Sequence, residues 1–172
     1  ARHRVYLTKL AAALVFCAGL TVLLLLLGTV AAVALPHPAG PALTTVDTNR
    51  SIVALDPGGW LLRVAAAGGY LMLWLSALAA IGVLAGLLTR SAVGGVGLAI
   101  GYHLVATVLT QLTSLRAIHP ALLPYWLGRW TTVAQTHPHW ASLAEGAACA
   151  GGYLVAATLI GLVRLRRQDV TA

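Results

Sequence analysis

The chain has 172 residues, 59% of them hydrophobic and 9% charged, with a formal net charge of +7. Soluble domains carry about 25% charged residues, so this composition excludes an ordinary water-soluble globule and points to an integral membrane protein. The positive charge belongs with membrane topology rather than with nucleic acid, because no basic run interleaved with aromatics occurs in a polar stretch.

The segment Ala1–Lys9 carries Arg2, Arg4 and Lys9 and reads as a basic topology anchor ahead of the first span. The first span, Leu10–Leu35, has no charged residue and no proline, and five leucines run together from Leu23 to Leu27. As a helix it is roughly 39 Å long, enough for the roughly 30 Å of bilayer hydrocarbon. Lipid cannot hydrogen-bond a bare backbone, and a helix satisfies its own. Pro36, Pro38 and Pro41 then close the helix. The polar loop that follows reaches Trp60 and holds Asp47, Arg50 and Asp56, the turn Asp56-Pro57-Gly58-Gly59 and the weak glycosylation match Asn49-Arg50-Ser51. Trp60 and Arg63 stand where interfacial anchors belong.

The second span runs over about Val64–Thr89, between Arg63 and Arg90, and its Gly82 and Gly86 form a small-xxx-small pattern suited to close helix approach. Arg90-Ser91 makes a very short turn to the third span, about Ala92–Leu115, in which Gly94, Gly97 and Gly101 lie roughly on one face. His103 and Gln111 are its notable polar residues, candidates for a transport path or for interhelical bonding. The bland reading of His103 is a neutral side chain hydrogen-bonded to a neighbouring helix. From Arg116 to Glu145 the chain is too polar and too proline-broken to span, yet too apolar for a free loop. Trp126, Trp130 and Trp140 there are expected at the headgroup level. The fourth span, about Gly146–Val163, leads into a basic tail with Arg164, Arg166 and Arg167.

The sequence therefore predicts an all-α, polytopic transmembrane helix bundle of four spans, about 10–35, 64–89, 92–115 and 146–163, forming a single transmembrane domain over residues 1–172. The outer loops are 36–63 and 116–145, with short interfacial or re-entrant helices in the second. Arg2, Arg4, Lys9, Arg90, Arg164, Arg166 and Arg167 fall on one side and Arg50, Arg63, Arg116 and Arg129 on the other, over longer loops. That asymmetry predicts a multi-pass protein of the cytoplasmic membrane with both termini inside.

Chemistry-bearing motifs are sparse. No G-x-x-x-x-G-K-[ST] loop is present, so the chain has no phosphate cradle of its own for ATP. Cys17 and Cys149 lie singly in apolar spans and read as inert thiols. His37, His119, His137 and His139 fall in the outer loops, and His137-Pro138-His139 lacks a nearby cysteine or carboxylate to complete a metal site. A haem bundle needs a second axial ligand, and His103 is the one in-span histidine. No catalytic, cofactor-binding or metal residue is assigned. The absence of a mid-span carboxylate or lysine speaks for a translocator powered from elsewhere.

Several short features in order are similar to the last four spans of a type-2 ATP-binding-cassette transporter permease, a six-span exporter subunit. Arg4-Val5-Tyr6-Leu7-Thr8-Lys9-Leu10 resembles the family's R-x-x-x-x-K-L approach to a span. Gly86-Leu87-Leu88-Thr89-Arg90-Ser91-Ala92 resembles its G-x-L-x-R-S turn between the fourth and fifth spans. The broken aromatic segment matches its re-entrant helices in position, and Arg166-Arg167-Gln168-Asp169 its R-R-x-D ending. The first two spans of that family, and the cytoplasmic segment that meets the ATPase, have no counterpart here, so an upstream part preceding Ala1 is expected. The resemblance implies a non-enzymatic permease subunit of an exporter working by alternating access. Its implied partners are cytoplasmic ATP-binding subunits, which would carry the ATP and Mg, a second permease copy or homologue, and membrane lipid, with no nucleic acid. The alternatives are an accessory or structural membrane protein and, less favoured, a haem or redox protein.

Overall fold

In lipid the backbone must satisfy itself, and the chain does so with four long helices. The computed structural model describes residues 2–34, 44–46, 52–54, 57–135 and 137–169. Helix α1 is Arg2–Ala34, α2 is Pro57–Thr89, α3 is Ala92–Leu109 and α4 is Trp140–Asp169. All four are long and apolar enough to cross a membrane, and the chain is a multi-pass membrane protein. Two consecutive 3-10 helices, Thr113–Ala121 and Leu123–Ala134, connect α3 to α4.

Helix boundaries depart from the expected spans for identifiable reasons. The basic cap is the first part of α1, so that helix runs past the apolar stretch into the polar layer. Proline fits the first turn of a helix, where its missing N–H costs nothing, and α2 begins at Pro57, seven residues before Val64. Trp60 and Arg63 are thus helical residues, not loop residues. Helix α3 stops at Leu109, short of Leu115. There the Thr107 hydroxyl donates to the His103 carbonyl and the Thr110 hydroxyl to that of Thr107, while Gln111 and Leu112 bond three residues back instead of four. Such hydroxyls compete with the backbone ladder and loosen helix ends. Helix α4 extends to both sides of its expected span, because Ala141–Glu145 and Arg164–Gln168 are mostly good helix formers with no proline among them.

Between α1 and α2 lie two short antiparallel strands that the sequence reading missed. Strand β1, Thr44–Val46, pairs with β2, Ile52–Ala54, with Thr45 opposite Val53. β-branched residues dominate both strands, which favours the pleated conformation. The proline cluster Pro36, Pro38 and Pro41, His37, Asn49-Arg50-Ser51 and Asp56 lie outside the described residues.

Helix α2 is the central element and packs against α1, α3 and α4; α1 touches α4 more lightly. Small residues occupy many of its most buried positions, beside Tyr70 and Trp74. Ala77 and Ala80 on α2 are fully buried, and Ala150 and Ala157 on α4 nearly so. Large apolar side chains point outward instead, among them Phe16 at 71% exposed and Val93 at 83%. A water-soluble bundle would bury these. A helix bundle in lipid keeps small residues inside and spends large ones on the hydrocarbon.

The α2–α3 hairpin turns on Thr89-Arg90-Ser91. Arg90 sits at a φ of 54°, the left-handed region. Ser91 is extended, and its hydroxyl caps α3 by accepting from the Gly94 N–H at 3.2 Å. The expected close approach at Gly82 and Gly86 is present, and its partner is Gly95. A Cβ on Gly95 would stand 2.6 Å from the Gly82 carbonyl oxygen and 2.8 Å from the Gly86 nitrogen. Gly97 and Gly101, by contrast, face open space.

Candidate functional site: an aromatic segment folded back into the bundle

A 3-10 segment inside a membrane protein leaves carbonyls that its own ladder does not saturate, and lipid offers no donors. Side chains from the long helices and from the segment itself supply them here. On α2, the Trp74 indole N–H donates to the Leu123 carbonyl at 3.0 Å, and one turn earlier the Tyr70 hydroxyl donates to that of Trp126 at 2.6 Å. On α4, the Tyr153 hydroxyl donates to the Ala121 carbonyl at 2.8 Å. On α3, the Tyr102 hydroxyl accepts from the Leu123 N–H at 3.5 Å. Within the segment, the Trp126 indole donates to the Pro120 carbonyl at 2.8 Å. Arg63, about two turns before Tyr70 on α2, donates to the carbonyls of Val133 at 3.1 Å and Gln135 at 2.5 Å.

These partners fix the depth of the segment. From Arg63 to Trp74 is 11 residues along α2, about 16 Å. Gln135 is held at the shallow end of that stretch and Leu123 at the deep end, close to the midpoint of α2. Leu123 is fully buried, in a cluster with Trp74, Ala77 and Ala150. Gly146 lets α4 approach Tyr70 here, since a Cβ on Gly146 would collide with the Tyr70 hydroxyl. The segment therefore descends from the end of α3 to mid-bundle and returns to the start of α4, the re-entrant one of the two courses expected from its prolines and aromatics.

The aromatics divide between two roles. Trp130 and Trp140 are 39% and 46% exposed, as interfacial residues are. Trp126, expected beside them, is 7% exposed and faces inward; its indole N–H is used inside the segment. Arg129 lies over the rings of Tyr125 and Trp126, at 5.5 and 5.8 Å from their centroids, a cation–π arrangement. His119 is 8% exposed, with Nε2 at 3.1 Å from both the Leu109 and the Leu112 carbonyls. Two acceptors there fix the Nε2–H tautomer and make His119 a cap for the frayed end of α3.

His103 does not make the interhelical bond expected of it at Nδ1. That atom is buried and has no hydrogen-bond partner among the described residues. The ring instead meets Trp74 edge-on, with centroids 5.5 Å apart at 84°. Gln111 lies beyond the end of α3 and is exposed. Among the described residues no three His, Cys, Asp or Glu side chains come together as a metal site, and His137 and His139 are both exposed. Cys17 and Cys149 are free.

The basic anchors gather at the opposite end. Lys9 and Arg90 line one cavity of about 460 Å³ together with Tyr6 and Leu165, which places the start of α1, the α2–α3 turn and the end of α4 at one level. Arg4, Arg164 and Arg166 are exposed on the same helix ends, while the side chains of Arg2 and Arg167 lie outside the described residues. Tyr6, in the basic cap, donates to the Ala157 carbonyl at 3.2 Å and packs where Gly161 leaves room.

Sequence reasoning singled out none of Tyr70, Trp74, Tyr102 or Tyr153; it quoted Tyr6 only inside the Arg4–Leu10 stretch and weighed His119 only as one of the loop histidines. The available signal was chemical: each carries a polar tip in or beside an apolar helix and needs a partner there. Comparison of the chain with protein-family models, with curated proteins and with solved structures finds no match.

Proposed function

We propose that the chain is the membrane-spanning permease subunit of an ATP-binding-cassette exporter in the cytoplasmic membrane, with both termini inside. Energy comes from separate cytoplasmic ATP-binding subunits, and a second permease copy or homologue completes the pathway. The observation that carries this reading is the re-entrant aromatic segment, suspended between α2, α3 and α4 immediately before the last span. Its position matches the arrangement implied by the G-x-L-x-R-S turn and the arginine-rich tail. The segregation of Arg4, Lys9, Arg90, Arg164 and Arg166 at one end supports the orientation. The absence of a mid-span carboxylate in the sequence supports an external energy source.

Alternating access needs elements that move as units. The α2–α3 pair, locked at Gly82, Gly86 and Gly95, supports such a unit; α1 packs on α2 and only lightly on α4, so a shift between α1 and α4 disturbs few contacts. The test is whether a neighbouring reading frame encodes a Walker-type ATPase and whether that ATPase co-purifies with the chain, followed by reconstitution in liposomes. A stable complex whose ATP hydrolysis differs from that of the isolated ATPase is expected. No complex would leave the accessory membrane role, and a Soret band in the purified chain would move the assignment to the haem alternative.

A further inference from the structure

A groove of about 730 Å³ runs between α1 and α3 with α2 as its floor, within the range of about 300–1,000 Å³ typical of ligand sites. Its walls are almost wholly apolar, with Phe16, Leu20, Leu78 and Val96 among them. The two charged residues lining it are both cations, Lys9 and Arg90, and both are exposed at its basic end. We propose that this groove is a binding site for an anionic phospholipid, one acyl chain lying along α2 and the headgroup phosphate at the Lys9–Arg90 mouth.

Length, charge and access agree on that occupant. From Lys9 to Leu20 the α1 wall is about 16 Å long, and the α3 wall from Ala92 to Ile100 about 12 Å. Both are close to half of the roughly 30 Å of bilayer hydrocarbon, the depth of one leaflet. A partner helix that crosses the membrane would need an apolar face of twice that length. Val96 and Ile100, on the open rim, are 60% and 55% exposed, so a lipid enters sideways from the bilayer. Two cations at the polar end of an apolar slot complement the net negative charge of an anionic headgroup; the ammonium of a zwitterionic headgroup would meet them as a like charge, and an apolar peptide helix gives them no counter-charge. Assignment to the inner leaflet rests on the proposed orientation; the lipid assignment does not.

Native mass spectrometry of the chain released from nanodiscs of equal phosphatidylglycerol and phosphatidylcholine tests this. Each basic residue near an anionic surface is worth roughly a fivefold change in partition, so retained phosphatidylglycerol is expected to exceed phosphatidylcholine by roughly 25-fold. The Lys9→Gln/Arg90→Gln double variant is expected to abolish the preference with the helical circular dichroism unchanged. Val96→Trp, enlarging a side chain on the open rim, is expected to reduce retention of both lipids. Equal retention of the two lipids by the native chain, or a preference that survives the double variant, would overturn the proposal. So would a Val96→Trp variant that lost oligomers while keeping its lipid, since a protein chain would then fill the groove. Nanodiscs expose both membrane faces, so selective retention stands even if labelling in cells reverses the orientation.

Discussion

At Gly95 the backbones of α2 and α3 meet with no side chain between them. A methyl group there would press on the Gly82 carbonyl oxygen and the Gly86 nitrogen, which are backbone atoms and cannot swing away. Gly95→Ala is therefore expected to cost about 2 kcal/mol, within the range for overpacking. Gly97→Ala, facing open space, is expected to cost nothing. Unfolding in detergent followed by circular dichroism separates the two. The Gly82-xxx-Gly86 half of this contact was legible in the sequence, because spacing four apart puts both residues on one helix face. Its partner was not, because glycine recurs along α3 and nothing in the spacing tells Gly95 from Gly97. Arg90 is the second such residue. Its φ of 54° costs a non-glycine residue roughly 1–2 kcal/mol. Arg90→Gly is thus expected to raise the unfolding midpoint while removing the cation, and Arg90→Ala to remove the cation with no such gain.

At the scale of elements, the re-entrant segment hangs from side-chain donors on its neighbours. Interhelical hydrogen bonds in membrane proteins are worth about 0.6 kcal/mol on average, with a maximum near 1.7. Tyr70→Phe and Trp74→Phe each strand a carbonyl near mid-bundle, so losses toward the upper end, about 1–1.5 kcal/mol, are expected. Hydrogen exchange should rise in residues 113–134 more than in α1. Trp130→Phe, at a side chain 39% exposed, is expected to leave both stability and exchange unchanged. Equal effects of all three substitutions would contradict the suspension of the segment from α2. That this segment is neither a span nor a free loop was readable from Pro120, Pro124 and Pro138 among apolar residues; whether it lies on the interface or dips inward was not. Nor was it readable which aromatics carry it. Trp126 and Trp130 look alike in sequence, four residues apart, and only the fold turns one inward to Pro120 and leaves the other at the surface. The pairing of β1 and β2 was hidden for a different reason: strands of three residues are too short for a period to show.

At the scale of the whole molecule, four apolar helices place the basic cap, the Arg90 turn and the arginine tail at one end and the aromatic segment at the other. The long apolar runs made this architecture legible, since only lipid explains Leu10–Leu35 and the exposed large side chains on every helix. Span ends were less legible, because helices continue past the hydrocarbon edge wherever good helix formers follow. Orientation is tested most directly by single-cysteine labelling in intact cells, with Cys17 and Cys149 replaced by alanine. Ser91, at the α2–α3 turn, and His137, beyond the re-entrant segment, are both exposed and lie at opposite ends of the bundle. A membrane-impermeant maleimide is expected to label His137→Cys in intact cells and Ser91→Cys only after permeabilisation. Labelling of Ser91→Cys from outside, or of both sites from the same side, would contradict a four-span bundle with its basic end in the cytoplasm.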